Sequence, residues 1–323
     1  MNVKAFIKLI RSDNLLVIAL TMLATRYGLM QPILSLRYPG VELQLTTPDF
    51  ILLILSTMLI AAAGYIINDY FDVKTDRINK PEKLYIDNGV KRRLAIFIHT
   101  IFNVLGFLIA GYVAYQAHSV YLCIIQFVSI TALWFYSTHL KRQVLSGNIL
   151  VSVLSALVVV QVLLFEIPHI HSLLIDKVNR DLNTDFLFLY ISVCSFALFA
   201  FLLSFVREII KDIEDFKGDF ETGCKTMPVV WGIKASKAIA AGLISNTVLL
   251  LVFIFYKLYK QHFSVLLIYL FLFVFIPLLV LIWKLYRSHQ KEEFHRLSKW
   301  VKYIMLSGVL STILIYLTCN GYI

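Results

Sequence analysis

Residues 50–81 read FILLILSTMLIAAAGYIINDYFDVKTDRINKP, and this stretch decides the fold. Phe50 to Asn68 contains no charged side chain. A helix needs about 20 mostly apolar residues, rising about 1.5 Å each, to cross a hydrocarbon layer about 30 Å thick. Three carboxylates, Asp69, Asp72 and Asp76, follow at once. Pro81 then ends the helix, because it lacks an N–H and disfavours helical geometry in the residue before it. The stretch reads as a membrane helix that carries acids out of the apolar phase.

Similar runs recur outward from it, at about 14–35, 49–67, 94–117, 119–137, 147–167, 186–206, 237–256, 263–283 and 300–318. The whole 323-residue chain is 59% hydrophobic and 15% charged, with a mean hydropathy of +0.78. Soluble domains carry about 25% charged residues, so a soluble enzyme with one anchor, a disordered chain and a disulfide scaffold are excluded. Barrel strands would alternate over about ten residues, and these runs do not. The expectation is an all-α polytopic membrane protein, with nine transmembrane helices in one bundle and a single domain over 1–323. The third and fourth spans meet at His118 in a tight hairpin, and Pro277 is expected to disturb the eighth. The basic, then apolar, N-terminus reads as a retained first helix rather than a signal peptide.

Lys and Arg set the orientation. With the N-terminus inside, 22 of the 30 fall on the inner side, as the positive-inside tendency requires. This predicts N-inside, C-outside, and a multi-pass protein of the cell membrane. The net charge of +10 is then mostly an orientation signal, and no nucleic-acid partner is needed. The four cysteines form no CxxC pair, so neither zinc nor a disulfide framework is indicated.

The acids are concentrated. Two inner segments, Asp69–Asp87 and Glu208–Glu221, hold 11 of the 20. At about 100° per residue, a helix starting from Asn68 places Asp72 near 40°, Asp76 near 80° and Asp69 near 100°. Starting from Glu208, Asp212 falls near +40°, Asp215 near −20° and Asp219 near +20°, if Gly218 does not break the helix first. Glu214 faces elsewhere. Stacked like charges are destabilising, more so in a low dielectric. A hard cation resolves the conflict, since Mg²⁺ takes a few carboxylates together with substrate phosphates and water. Two such ridges, interleaved with Arg77, Lys80, Lys211, Lys217 and Lys225, suit a metal-bound pyrophosphate. A solvated, charge-balanced loop explains Lys91–Arg93, Glu292 and Glu293 better, because they show no facial order.

At these residues the chain resembles the UbiA-type intramembrane prenyltransferases. The likeness rests on NDxxDxxxD from Asn68 to Asp76, on DxxxD at Asp215 and Asp219, and on the span count. It is supported by Asp76–Pro81, the Tyr136–Arg142 loop and Gly223–Thr226. The resemblance implies two Mg²⁺ ions, one on Asn68, Asp72 and Asp76, the other on Asp215 and Asp219. It implies a polyprenyl pyrophosphate donor held by Arg77, Lys141, Lys211 and Lys225, on the cytoplasmic side. Where the family often has Arg-Pro after the first motif, this chain has Lys83-Leu84, which loses the bidentate phosphate grip of Arg.

Such chemistry neutralises the pyrophosphate, releases an allylic cation and excludes water until the acceptor captures it. Tyr65, Tyr70, Phe71 and Tyr136 are candidates to stabilise the cation through their ring faces, with Tyr136 placed among the catalytic candidates. Asp69 and Asp212 are available as bases. The stretch Arg207–Asp215 looks most like the branch that prenylates geranylgeranylglyceryl phosphate. In that case cations not engaged by pyrophosphate would hold the acceptor's phosphate. The alternative acceptor is an aromatic quinone precursor such as dihydroxynaphthoate or hydroxybenzoate. An ion-coupled transporter is the rival from another class, but its acids would lie near mid-bilayer, whereas here they lie at span ends. Arg26, deep in the first span, has no assigned partner. Glu166, His169 and His171 form a weak metal-ligand candidate in an expected outer loop, and 177–185 reads as solvated surface.

Overall fold

The computed structural model describes residues 3–37, 43–178 and 182–322, and the side chains of Arg37, Lys83 and 167–186 lie outside the described residues. Helices dominate: α1 (Val3–Leu9), α2 (Ser12–Leu36), α3 (Thr47–Asn79), α4 (Arg92–Gln116), α5 (Val120–Thr138) and α6 (Ser146–Val178), followed by α7 (Leu182–Glu214), α8 (Phe216–Glu221), α9 (Met227–Lys260), α10 (Ser264–Arg287) and α11 (Lys291–Cys319). Among the described residues, nine are long and apolar enough to cross a membrane, all but α1 and α8.

Local chemistry explains the boundaries. Thr46 caps α3 by accepting from the Asp49 N–H at 3.3 Å, with Pro48 in the first turn, where a missing N–H costs nothing. At the other end α3 runs to Asn79, and Lys80 before Pro81 leaves helical geometry (φ −146°, ψ 59°). The α4–α5 hairpin closes as expected through His118 at φ +52°, with the Ser119 N–H donating to Ala114 O at 3.0 Å. Pro277 has no N–H for Phe273, and the turn just before it, Phe271–Phe275, is a wide one; proline in a helix interior is accommodated in this way.

Two expectations are corrected. The span ending near residue 167 continues as helix α6 to Val178, so Glu166 is on a helix and not in an outer loop; the side chains of His169 and His171, and those of 177–185, lie outside the described residues. The helix after the sixth span breaks at Asp215 (φ −93°, ψ 5°), three residues before Gly218. Asp219 therefore belongs to a separate short helix rather than to one continuous ridge.

The helices form a closed ring. α2 and α4 pack on α3, α3 on α5, α5 on α6, α6 on α7, α7 on α9 and α11, and α11 returns to α2. Lipid supplies no hydrophobic drive between helices, so small residues and interhelical hydrogen bonds hold such contacts. Ala62 and Ala63 of α3 and Ala110 of α4 are fully packed, and Ser56 Oγ donates to Gly106 O at 2.7 Å. One apolar cluster joins α2, α3, α4, α6 and α7 through Met22, Phe50, Val113, Val162 and Val193. A second joins α7, α9, α10 and α11 through Ile210, Ile244, Leu278 and Leu297. Between them lies a cavity of about 1830 Å³.

Candidate active site

The cavity ends at the C-terminal parts of α3 and α7, where Asn68, Asp69, Asp72, Asp76, Asp212 and Asp215 line it. The two acidic segments, far apart in sequence, thus share one space. Asn79 clasps them together: its Nδ2 donates to Asp215 O at 2.9 Å, and its Oδ1 accepts from the Gly218 N–H at 2.9 Å. A Cβ on Gly218 would sit 2.5 Å from the Asn79 amide, so the clasp needs glycine there.

Cations are threaded between the acids. Lys141 bonds to Asp72 and reaches Asn68 Oδ1 at 3.4 Å, while Asn68 Nδ2 donates to Asp72 Oδ2 at 2.7 Å. Burial, the largest single influence, would lower the Lys141 ammonium, but the Asp72 charge and hydrogen bond, with Tyr136 and Asp76, together outweigh it and hold Lys141 well above the usual lysine range. Lys80 Nζ lies 2.6 Å from Asp215 Oδ2 and 3.9 Å from Glu214 Oε1. It too is raised, since the attraction of these acids exceeds the effect of burial. Asp219 is pushed up to about 6, first by burial and then by the negative charges of Asp215 and, across the site, Asp72.

The loop that delivers Lys141 is packed tightly. A Cβ on Gly147 would come 2.9 Å from Leu140 O and 3.0 Å from the Lys141 Cα. The same loop accepts the Lys225 N–H at Arg142 O, 2.9 Å away, which ties it to the segment after Asp219.

Three side chains that local sequence did not single out complete the site. Arg11 Nη2 holds Asp69 Oδ1 at 2.8 Å and lies over the Tyr65 ring at 4.8 Å. Asn148 Nδ2 donates to Asp212 Oδ2 at 2.7 Å. His295 Nδ1 donates to Glu214 Oε1 at 3.0 Å; Glu214, expected to face elsewhere, lines the cavity as well and shares Lys80 with Asp215. None belongs to either acidic motif, so only tertiary contact reveals them.

Other expected residues fall elsewhere. Arg77 and Lys225, expected on the pyrophosphate, are exposed and do not line the cavity. Tyr70 and Phe71 also point away, Phe71 packing edge-on against both Tyr70 and Trp134. Tyr65 and Tyr136 do line the cavity. Lys211 lines it as well, but pairs with Glu208 at 2.9 Å and neighbours Arg207 and Arg11 rather than Lys141. At the far end of the bundle, Arg26 Nε meets Glu166 Oε1 at 2.9 Å, both side chains almost fully buried. Glu166 also accepts the Leu45 N–H at 3.1 Å, so it is an ion-pair partner and not a metal ligand.

The donor set fits a hard cation. Among the described residues no three acids or histidines converge into a ready cage. Mg²⁺, however, is usually held by one or two carboxylates plus substrate phosphates. Asp215 Oδ1 is buried without a hydrogen-bond partner, an arrangement that costs free energy unless a cation arrives. Lys141 and Lys80 set ammonium charge against Asp72 and Asp215, where a divalent ion would set its own.

Residues 34–306 match the UbiA prenyltransferase family. The chain belongs to the UbiA prenyltransferase family. Two relatives are similar over much of this UbiA prenyltransferase. A digeranylgeranylglyceryl phosphate synthase of Sulfurisphaera tokodaii is 28% identical over 96% of this chain and 97% of its own. A digeranylgeranylglyceryl phosphate synthase of Thermococcus sibiricus is 29% identical over 74% of this chain and 72% of its own. The fold is shared with a UbiA homologue of Archaeoglobus fulgidus bound to GPP and Mg²⁺, at a TM-score of 0.55, 15% identity and 96% and 99% coverage of the two chains. The nine apolar helices among the described residues and this family make the UbiA prenyltransferase described here an integral membrane enzyme.

Proposed function

We propose that this enzyme transfers a geranylgeranyl group from its pyrophosphate to a glycerol hydroxyl of geranylgeranylglyceryl phosphate. The observation that carries the reading is the facing of Asn68, Asp72 and Asp76 with Asp215 at one end of a lipid-sized cavity, with Lys141 and Lys80 between them; Asp219 does not line the cavity but lies behind Asp215, within electrostatic reach of Lys141 and Asp72. Ordinary ligand sites measure about 300–1,000 Å³, and about 1830 Å³ suits two isoprenoid chains. The names of the Sulfurisphaera and Thermococcus relatives favour the glyceryl phosphate acceptor over an aromatic one.

Asn68, Asp72 and Asp76 would hold one Mg²⁺ and Asp215 with Asp219 a second. Mg²⁺ supplies the charge that makes pyrophosphate a competent leaving group. Lys141 and Lys80 offer further positive charge to its non-bridging oxygens. The apolar cavity wall keeps water from the allylic cation, and the Tyr136 ring presents a face to it. Asp212, steadied at Oδ2 by Asn148, takes the hydroxyl proton of the acceptor at Oδ1. Asp69 is engaged by Arg11 and serves to position α3. In this reading the protein is one domain in the cell membrane, N-terminus inside and C-terminus outside, with the acidic end on the cytoplasmic side.

The test supplies purified enzyme with labelled geranylgeranyl pyrophosphate, Mg²⁺, and either geranylgeranylglyceryl phosphate or dihydroxynaphthoate. The expected outcome is ether product with the first acceptor, abolished in Asp72→Ala and Asp215→Ala. Product with the aromatic acceptor alone, unchanged activity in both variants, or ion flux across vesicles without transfer would overturn the proposal.

A further inference from the structure

A second charged cluster lines the same cavity. Arg207 and Lys211 stand one turn apart on α7, and Lys302 comes from α11. One buried acid, Glu208, serves both α7 cations, accepting from Arg207 at 3.2 Å and from Lys211 at 2.9 Å. Lys302 Nζ has a neutral partner, Asn14 Oδ1, at 2.8 Å, and neighbours Arg207. Arg11, on the same side, is already matched by Asp69. Asp13, the remaining acid near Lys302, is exposed. Arg207 Nε is buried without a hydrogen-bond partner. The cluster therefore holds more positive than negative charge in a region of low dielectric, which is costly unless an anion joins it.

This cluster is separate from the pyrophosphate end. The charges that act most on Lys211 are Glu208, Arg207 and Arg11, with Asp212 also in reach, whereas Lys141 has Asp72 and Asp76. A rise of about 1.5 Å per residue puts Arg207 about 7.5 Å below Asp212 along α7, and Lys211 about 6 Å below Asp215. Helix α7 and the break that ends it thus present in order a cationic cluster, a carboxylate suited to a hydroxyl and, at the break, a carboxylate suited to a metal. That spacing is on the scale of a glycerol phosphate.

We propose that Arg207, Lys211 and Lys302 form a subsite for the phosphate monoester of the acceptor, separate from the donor pyrophosphate site. The proposal rests on the glyceryl phosphate reading above. The subsite makes a charged acceptor headgroup a requirement and aims its glycerol hydroxyl toward Asp212. Lys211, expected from the sequence on the pyrophosphate, serves the other substrate.

The test compares wild type with Arg207→Gln, Lys302→Gln and the conservative Lys302→Arg. Loss of a charged hydrogen bond raises KM for geranylgeranylglyceryl phosphate about 10-fold or more, while KM for geranylgeranyl pyrophosphate stays within about 2-fold. Lys302→Arg retains most of the acceptor affinity, which a purely structural role for the lysine would not require. In Mg²⁺-free buffer, geranylgeranylglyceryl phosphate raises the thermal midpoint of the wild type but not of Arg207→Gln, and dephosphorylated geranylgeranylglycerol raises neither. A matching rise in donor KM assigns the cluster to pyrophosphate and overturns the proposal. An unchanged acceptor KM in both Gln variants also overturns it, leaving the function itself intact. Failure of the wild type to use any glyceryl phosphate overturns both.

Discussion

Asn79→Ala removes both hydrogen bonds that join the two acidic segments. Each is 2.9 Å long, and Asn79 is buried. The Gly218 N–H and the Asp215 carbonyl would lose their Asn79 partner in a sheltered place, at about 1–3 kcal/mol apiece. The expected loss is about 2–4 kcal/mol, part of it relieved where water reaches the gap. The functional loss should be larger than a uniform loosening would give, because the clasp sets the position of Asp215 and Asp219 relative to Asp72. A misplacement of about 1 Å can cost about 100-fold in rate. The assay measures the thermal midpoint in detergent and initial rates over a Mg²⁺ titration. A lower midpoint is expected, with a higher half-saturating Mg²⁺ and little change in acceptor KM. Gly218→Ala should reproduce the Mg²⁺ effect, since its Cβ would occupy the position of the Asn79 amide. A variant with normal Mg²⁺ dependence and normal rate would refute the clasp, even if its midpoint fell.

Three other outcomes follow from the geometry. Asp219 takes up a proton near pH 6, and a proton and a metal compete for the same carboxylate; apparent Mg²⁺ affinity should hold at pH 7.5 and weaken as pH falls through about 6, read by Mg²⁺ titration at the two ends. Removing one partner of the buried Arg26–Glu166 pair, as in Glu166→Gln, should cost about 3–5 kcal/mol, whereas Arg26→Met with Glu166→Leu should recover much of the thermal midpoint. Gly147→Ala forces the Lys141 backbone to move by a few tenths of an ångström; donor KM should rise about 3- to 10-fold with acceptor KM unchanged, and an unaltered donor KM would show that the loop tolerates the shift.

Much of the site was legible in the primary structure because acids in an apolar chain are costly and therefore ordered. The charge-free run from Phe50 to Asn68 and the spacing of Asp72 and Asp76 identify a helix, its exit from the lipid and a carboxylate face by local arithmetic alone. The second ridge was legible in composition but not in shape. Its helical register assumed a continuous helix through Asp215, yet the chain turns there, and the turned segment is held by Asn79, a residue 136 positions away. Arg77 and Lys225 show the same limit from the other side. Their charges beside the motifs suggested phosphate binding, but the direction of a side chain at a helix end depends on what the next segment packs against.

Periodicity and hydropathy by themselves determined an all-helical membrane chain and two acidic ends, since lipid solvation acts on each helix separately. Partnership was decided only in three dimensions. That Arg26 answers Glu166, that Arg11 takes Asp69 and that Lys141 reaches Asp72 depend on which helices become neighbours in the ring, whereas the Lys211–Glu208 pair lies within one helix. Charge is a long-range property whose partner need not be near in sequence. In a low-dielectric interior, the choice of partner is what separates the proposed pyrophosphate site from the proposed phosphate site.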